Sequence, residues 1–293
     1  MRHLLTYCLL WCALGAWAQS RERVVRTFHD TRIINTQSVE MLAPRRLDIR
    51  IVHRFGDMLG DAGGWPTFYG LENAADVLFG FDYGVSENFM LGLYRTKGAG
   101  DRRQLLNLNF KARLAQQRPT MPFTIAATAL GSLSTMSQVE GSGAVSSFPQ
   151  FSHRLAFSGQ LLIAHKLSEY IGLQLTLSTV HRNLVPHYDD NTIFASGLAT
   201  HIQLTKMLSF IMDVQLPLNG NQSPLQTVKH PDAPNYYLPI GVGIEVETGG
   251  HVFQINLTNS AGIVETDFIP ETTQSWRQGE FRLGFTISRL FNL

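Results

Sequence analysis

Ionisable side chains recur at alternate positions within otherwise apolar stretches of the chain. Asp48, Arg50 and Arg54 form one such set, Asp76 and Asp82 a second, and Lys111 and Arg113 a third; His201, Asp213, Glu245, Glu247, Glu280 and Arg282 continue the pattern. Carboxylates and guanidinium groups that share one face of extended chain can do two things. They can satisfy one another as a network of buried ion pairs, or they can line a narrow polar path whose mixed charges screen solutes. The residues singled out for either role are Asp48, Arg50, Asp76, Lys111, Arg113, Asp213, Glu245 and Arg282.

Three further groups carry possible chemistry. The stretch HRNLVPHYDD brings His181, His187, Asp189 and Asp190 together. Imidazoles and carboxylates of this kind hold divalent ions, but the spacing matches no specific site, so the stretch is read as a solvated loop and no metal or other cofactor is expected. The stretch MLGDAGGWPTFYGLENA places Trp65, Phe68 and Tyr69 beside Gly63-Gly64. Those rings could constrict a mouth, bind a glycan or lipid head, or sit as an aromatic girdle at headgroup level. A hydrolase needs a base beside a nucleophile; His165 is the candidate base, no serine shares its phase, and no catalytic residue is assigned.

The elements that must position these groups are strands. In Gly279–Leu293, Phe281, Leu283, Phe285, Ile287, Phe291 and Leu293 share one phase of a two-residue period, while Arg282, Gly284, Thr286, Ser288 and Asn292 hold the other. Period two is a strand and not a helix. The same alternation places strands over 47–55, 75–85, 88–97, 103–115, 122–133, 153–165, 169–181, 193–205, 207–216, 237–247, 251–258 and 280–291. Each is close to the ~9–11 residues that a tilted strand uses to cross a bilayer. Connections are mostly long after odd-numbered strands, Gly98–Arg102 being the short exception, and short after even-numbered ones, as in bacterial outer-membrane barrels with long outer loops and tight periplasmic turns. A soluble sandwich would also alternate. Twelve strands in one ring, however, enclose more room than side chains fill, so an apolar outer wall is the better solution. The expected fold is all-β, a closed antiparallel transmembrane barrel of about twelve strands. Phe285, Ile287, Phe291 and Leu293 are read as its barrel-closing signal, and the seam should set Asp48 and Arg50 against Arg282 and Glu280.

The first eighteen positions read as a secretory leader, with Arg2-His3, the apolar Leu4–Leu14 and the small-residue pattern Ala16-Trp17-Ala18. Both cysteines, Cys8 and Cys12, fall inside it, so disulfides and thiol ligands are excluded beyond it. The formal net charge of the whole chain is +1, and it falls to zero once Arg2 leaves with the leader. Such balance gives no basic stripe for nucleic acid. Residues 19–46 lack a period and are read as a short strand, a periplasmic lead-in or an inward plug, ahead of a barrel over 47–293.

Three stretches, TRIINTQSVEMLAPRRLDIRIVHRFGD, GGWPTFYGLENAADVLFGFDYGVSENFMLGLYR and ETGGHVFQINLTNS, resemble an outer-membrane β-barrel family of Bacteroidota known by a domain-of-unknown-function label (DUF5777-like). The resemblance runs from about Arg23 to Leu293. It implies an outer-membrane barrel and no assigned substrate, activity or cofactor. The expected location is therefore the cell outer membrane, and the expected partners are its lipid, periplasmic chaperones and the barrel-assembly machinery. The expected role is a narrow channel or transporter for small solutes. Alternatives are a plugged structural or adaptor barrel that binds through its loops and, less favoured, an outer-membrane lipid-modifying enzyme.

Overall fold

The computed structural model describes residues 26–139 and 145–293; the expected leader lies outside them. Among the described residues there are twelve strands: β1 Arg46–Phe55, β2 Ala74–Ser86, β3 Phe89–Thr96, β4 Leu105–Ala115, β5 Thr124–Ser134, β6 Leu155–Lys166, β7 Ile171–Arg182, β8 Thr192–Gln203, β9 Leu208–Pro217, β10 Ile240–Glu247, β11 His251–Thr258 and β12 Arg282–Asn292. Each pairs antiparallel with its neighbour in sequence, and β1 pairs with β12 to close the ring. The links after even-numbered strands are mostly tight turns of two to four residues, with eight after β4, while those after odd-numbered strands run from eight to twenty-three, so one rim carries short turns and the other long loops. No described helix is long and apolar enough to cross a membrane, which says nothing of strands.

Burial runs opposite to hydropathy along the wall. In β7 the leucines Leu173, Leu175 and Leu177 are exposed, at 44%, 39% and 45%, whereas Gln174, Thr176 and Ser178 are buried. In β4, Leu106, Leu108 and Phe110 face outward and Asn107, Asn109 and Lys111 inward. An apolar outer face is the arrangement that lipid selects, since hydrocarbon cannot satisfy polar side chains. Lysine in place of Leu108 should therefore cost about 2–4 kcal/mol of barrel stability if the site lies near the bilayer midplane. Denaturant unfolding of the barrel refolded into lipid measures this, and a loss comparable to that of Leu108→Ala would reverse the assigned faces.

The seam departs from expectation. Asp48 lies opposite Leu290 and Arg50 opposite Ser288, while Arg282 pairs with Thr258 of β11. Antiparallel closure sets the start of β1 against the end of β12, which separates Asp48 and Arg50 from Glu280 and Arg282 by the height of the wall. Asp48 instead accepts a 2.6 Å hydrogen bond from the Ser288 hydroxyl.

A ring of this size needs filling, since about eight strands already make a just-filled interior. Two pieces of the chain fill it. Residues 27–42 enter from the tight-turn rim, with every residue from Thr31 to Glu40 buried. The loop after β11 enters from the opposite rim and carries a short helix, α1, over Glu265–Glu271, with Glu265 to Pro270 buried. Apolar side chains of both inserts pack on inward apolar wall residues. Phe28, Ile33, Ile34 and Val39 meet Ala126, Leu162, Ala164, Ala199 and Ile211. Ile263 and Val264 meet Val52, Leu78, Tyr94, Leu105 and Leu130, and Phe268 and Ile269 meet Val180, Ile193 and Ala195.

Candidate functional site

The N-terminal insert turns back on itself at mid-lumen. Ile33 N–H donates to the Thr36 carbonyl at 2.9 Å, Ser38 N–H donates to Thr31 at 3.0 Å, and Arg32 and Gln37 bridge across the turn. The tip is therefore Ile34-Asn35, and it meets Asp213 of β9. That one carboxylate accepts from the backbone N–H of Ile34 at 3.0 Å, Asn35 at 2.6 Å and Thr36 at 3.2 Å, and from the Asn35 side chain at 2.6 Å. A buried charge is tolerable only when so satisfied. The wall makes room for the tip: a Cβ on Gly241 would lie 2.7 Å from Ile34 Cγ2. Gly172 yields in the same way to Thr27, whose carbonyl oxygen would lie 2.6 Å from a Cβ there.

The rest of the insert is gripped by other strands. Lys111 donates to the carbonyls of Thr31 at 2.9 Å and Ser38 at 3.0 Å. Gln174 accepts from Val39 N–H at 2.9 Å and donates to the Gln37 carbonyl at 2.7 Å. Arg50, with no exposed surface, bonds Asp30 of the insert at 2.7 Å and Asp48 of its own strand at 2.7 Å. Two arginines tie the inserts to each other. Arg32 pairs with Glu265 at 3.0 Å. Arg54 donates to Asn35 Oδ1 at 2.7 Å and to the Ser260 carbonyl at 3.1 Å. Asp76 accepts from Ile263 N–H at 3.0 Å and so holds the start of the second insert.

The expected lining residues thus converge on the lumen, but they grip chain and not solvent. Asp48, Arg50, Asp76, Lys111, Asp213 and Glu245 are all buried there. Arg113 is half-buried at the tight-turn rim and donates to the Glu87 carbonyl at 3.3 Å, and Arg282 lies at the opposite end of the wall. The residues read as mouth candidates form one exposed cluster on the loop after β1: Trp65, at 72% exposure, packs edge-on to Phe68 and Tyr69. In the HRNLVPHYDD stretch the groups disperse. His181 bonds Thr192, Asp189 turns to Arg182, and His187 bonds Asp232 at 3.1 Å. His165 bonds the Pro122 carbonyl oxygen at 2.5 Å.

Cavities lie at both rims, and two of them face each other across the inserts. The larger, about 460 Å³, is bounded by Arg26, Asp30, Glu40, Arg46, Glu87 and Arg113 at the tight-turn rim. The smaller, about 210 Å³, is bounded by Asp101, Arg182, Asp189, Tyr236, Asp267 and Glu271 below the long loops. They share no lining residue, and residues 31–38 and 262–268 occupy the space between them.

The α1 insert should be pH-sensitive. Burial first, then the carboxylates of Glu271 and Asp76, push the Asp267 carboxyl well above the usual carboxylate range. The folded state therefore holds a proton that the unfolded chain releases near its ordinary pKa, so this docking weakens as pH rises through the raised value. Amide-exchange protection of residues 265–271, corrected for intrinsic rates, should fall between about pH 5 and about pH 8. Protection that rises over this range would contradict the assignment.

A family profile described as a membrane-bound β-barrel domain (DUF5777) matches residues 28–291. No curated protein matches the chain. Among solved structures, a KdgM porin in complex with disordered oligogalacturonate shares 6% identity and covers 85% of this chain and 99% of its own, with a TM-score of 0.47. A Salmonella typhi OmpF complex with daunomycin shares 9% identity over 84% of this chain and 96% of its own, at a TM-score of 0.39.

Proposed function

This chain belongs to the DUF5777 family of membrane-bound β-barrel domains, and from that premise we propose that it is an outer-membrane channel for small solutes held shut by its own N-terminal segment. One observation carries the reading: the turn at Ile34-Asn35 blocks mid-lumen through hydrogen bonds to Asp213, with a cavity on either side of it. A plug gripped by hydrogen bonds can leave without any covalent change. Once it is displaced, Asp48, Arg50, Lys111, Asp213 and Glu245 would line a mixed-charge path, the kind that screens solutes by charge. Passage of solutes needs no catalytic step, and the His165 ring stands within hydrogen-bond distance of the Pro122 carbonyl oxygen.

In this reading the leader directs export, and β12, with Phe285, Ile287, Phe291 and Leu293, is what the assembly machinery recognises. A second reading has one observation in its favour. The exposed Trp65, Phe68 and Tyr69 cluster suits a permanently plugged adaptor barrel that binds partners through its loops.

Planar-bilayer recording separates the two readings. The wild-type barrel, shown to be folded by heat-modifiable migration, should be silent. Gly241→Leu, which crowds the plug tip without stranding a charge, should give discrete ohmic steps. Steps from the wild type would overturn the closed state. Silence from every plug-releasing variant would favour the adaptor.

A further inference from the structure

Near the tight-turn rim, three side chains from distant parts of the chain aim their ligating atoms at one point. His29 belongs to the N-terminal insert, His201 to β8 and Glu245 to β10. His29 Nδ1 lies 3.4 Å and His201 Nε2 lies 3.6 Å from the same oxygen, Glu245 Oε1. The His201 and Glu245 side chains are 5% and 2% exposed, and His29 is 14% exposed. Each of the three atoms is buried without a hydrogen-bond partner. One orphaned buried polar atom is uncommon; three converging on one point indicate a missing common partner.

The spacing identifies the kind of partner. Ligands at ~2.0–2.1 Å from a tetrahedral ion stand about 3.3–3.4 Å apart, close to the two distances here. Two neutral imidazoles and one carboxylate form the donor set of open zinc sites, which keep a fourth position for water or another ligand. That position has access. A cavity of about 260 Å³ at the tight-turn rim is lined by His29, His201, Arg26, Glu247 and Lys206. Glu247 Oε2 stands 3.6 Å from His29 Nδ1 as a nearby oxygen donor. The surrounding contacts are also those of a metal site. Gln254 donates at 2.9 Å to Glu245 Oε2, the oxygen that would not bind the ion, and so orients the carboxylate. The Glu40 carboxylate accepts from the N–H groups of Thr27 at 2.8 Å and Phe28 at 3.1 Å, which fixes the chain beside His29.

We propose that His29, His201 and Glu245 bind a zinc-class divalent cation, which pins the N-terminal insert to β8 and β10. The fourth ligand is water from the tight-turn cavity. The site stands whether or not the barrel conducts, and its failure would leave the closed-channel reading intact.

The test uses the full exported chain, refolded in detergent after chelator treatment, dialysed against Zn²⁺ and analysed for bound metal. One equivalent per folded chain is expected, and Co²⁺ in its place should give the intense visible bands of a tetrahedral site. Glu245→Gln keeps the side-chain shape and should weaken Zn²⁺ binding by about tenfold or more, since even second-shell losses reach that range. His201→Ala should do the same. His187→Ala, in the exposed His187, His230 and Asp232 group, should leave the buried equivalent in place. Heat-modifiable migration verifies folding of each variant. A folded wild type without zinc, or zinc that persists unchanged in folded Glu245→Gln, would overturn the site and leave a plain histidine–carboxylate ion pair.

Discussion

Replacing Arg50 by alanine should destabilise the folded barrel by about 3–5 kcal/mol, the usual cost of removing one partner from a buried ionic group. The guanidinium has no exposed surface and joins carboxylates from separate parts of the chain: Asp30 on the insert, Asp48 on β1 and, at 3.9 Å, Asp82 on β2. It also donates to the Thr31 hydroxyl at 3.0 Å. With the cation gone, three carboxylates face one another without water. The easiest relief is for Asp30 to move away, and Asp30 sits on the removable piece. The loss should therefore appear first as escape of the insert and only then as unfolding of the wall. Arg50→Met would keep much of the volume and suffer the same fate, because the stranded acids, not the lost packing, set the cost. Combining Arg50→Met with Asp30→Asn should recover part of the loss, and a double-mutant cycle reads the coupling. Urea unfolding within about 1 kcal/mol of wild type for the single variant, the range of an exposed pair, would mean that the network is not buried as described.

The second large effect is expected at Asp213. Asp213→Ala leaves the N–H groups of Ile34, Asn35 and Thr36 without their acceptor, and hydrogen bonds to charged groups contribute about 1.5–3 kcal/mol each. Water entering the vacated space repays some of this, so a net loss of about 3–4 kcal/mol is expected. That corresponds to roughly a hundred- to thousand-fold shift in plug occupancy, at about 1.4 kcal/mol per tenfold. Protease cleavage within residues 30–39 should accelerate accordingly while β-barrel migration is kept, since the wall hydrogen bonds do not involve this side chain. Asp213→Asn should fall between, because its oxygen still accepts but its amide opposes the donors. Cleavage at the wild-type rate would show that the turn is held by something other than this carboxylate.

The wall was legible because its signal is local. A two-residue period reports which face each side chain takes, and the observed strands lie within three residues of the expected ranges. The inserts were legible only in part: an inward plug was one of three readings of residues 19–46, and nothing marked the loop after β11 as entering the lumen, because the partners of both lie far away in sequence. Asn35 reads as a polar residue in an aperiodic stretch until Asp213 and Arg54 are placed around it. The loop after β11 reads as solvent-facing, and the polar ETDFIPE of α1 offers no amphipathic stripe to betray its burial. Inward glycines such as Gly172 and Gly241 were a usable hint, since a wall that needs only polar lining has no reason to omit a Cβ. His201 and Glu245 were recognised as inward charges, but their meeting with His29 depends on closure of the ring and entry of the insert together. The supposed pairing of Arg50 with Glu280 failed for a simpler reason: closing an antiparallel ring joins the start of one strand to the end of another.

A cross-link between plug and wall measures the occupied lumen most directly. A Cβ at Gly241 would lie 3.0 Å from Ile34 Cβ, so paired cysteines could bridge after a shift of about 0.5 Å. The only native cysteines are Cys8 and Cys12, inside the expected leader. Oxidation of the folded Ile34→Cys/Gly241→Cys barrel should consume both thiols and abolish conductance in the plug-releasing Asp213→Ala background. Thiols that stay free and fully alkylatable in the folded barrel would place the segment outside the lumen.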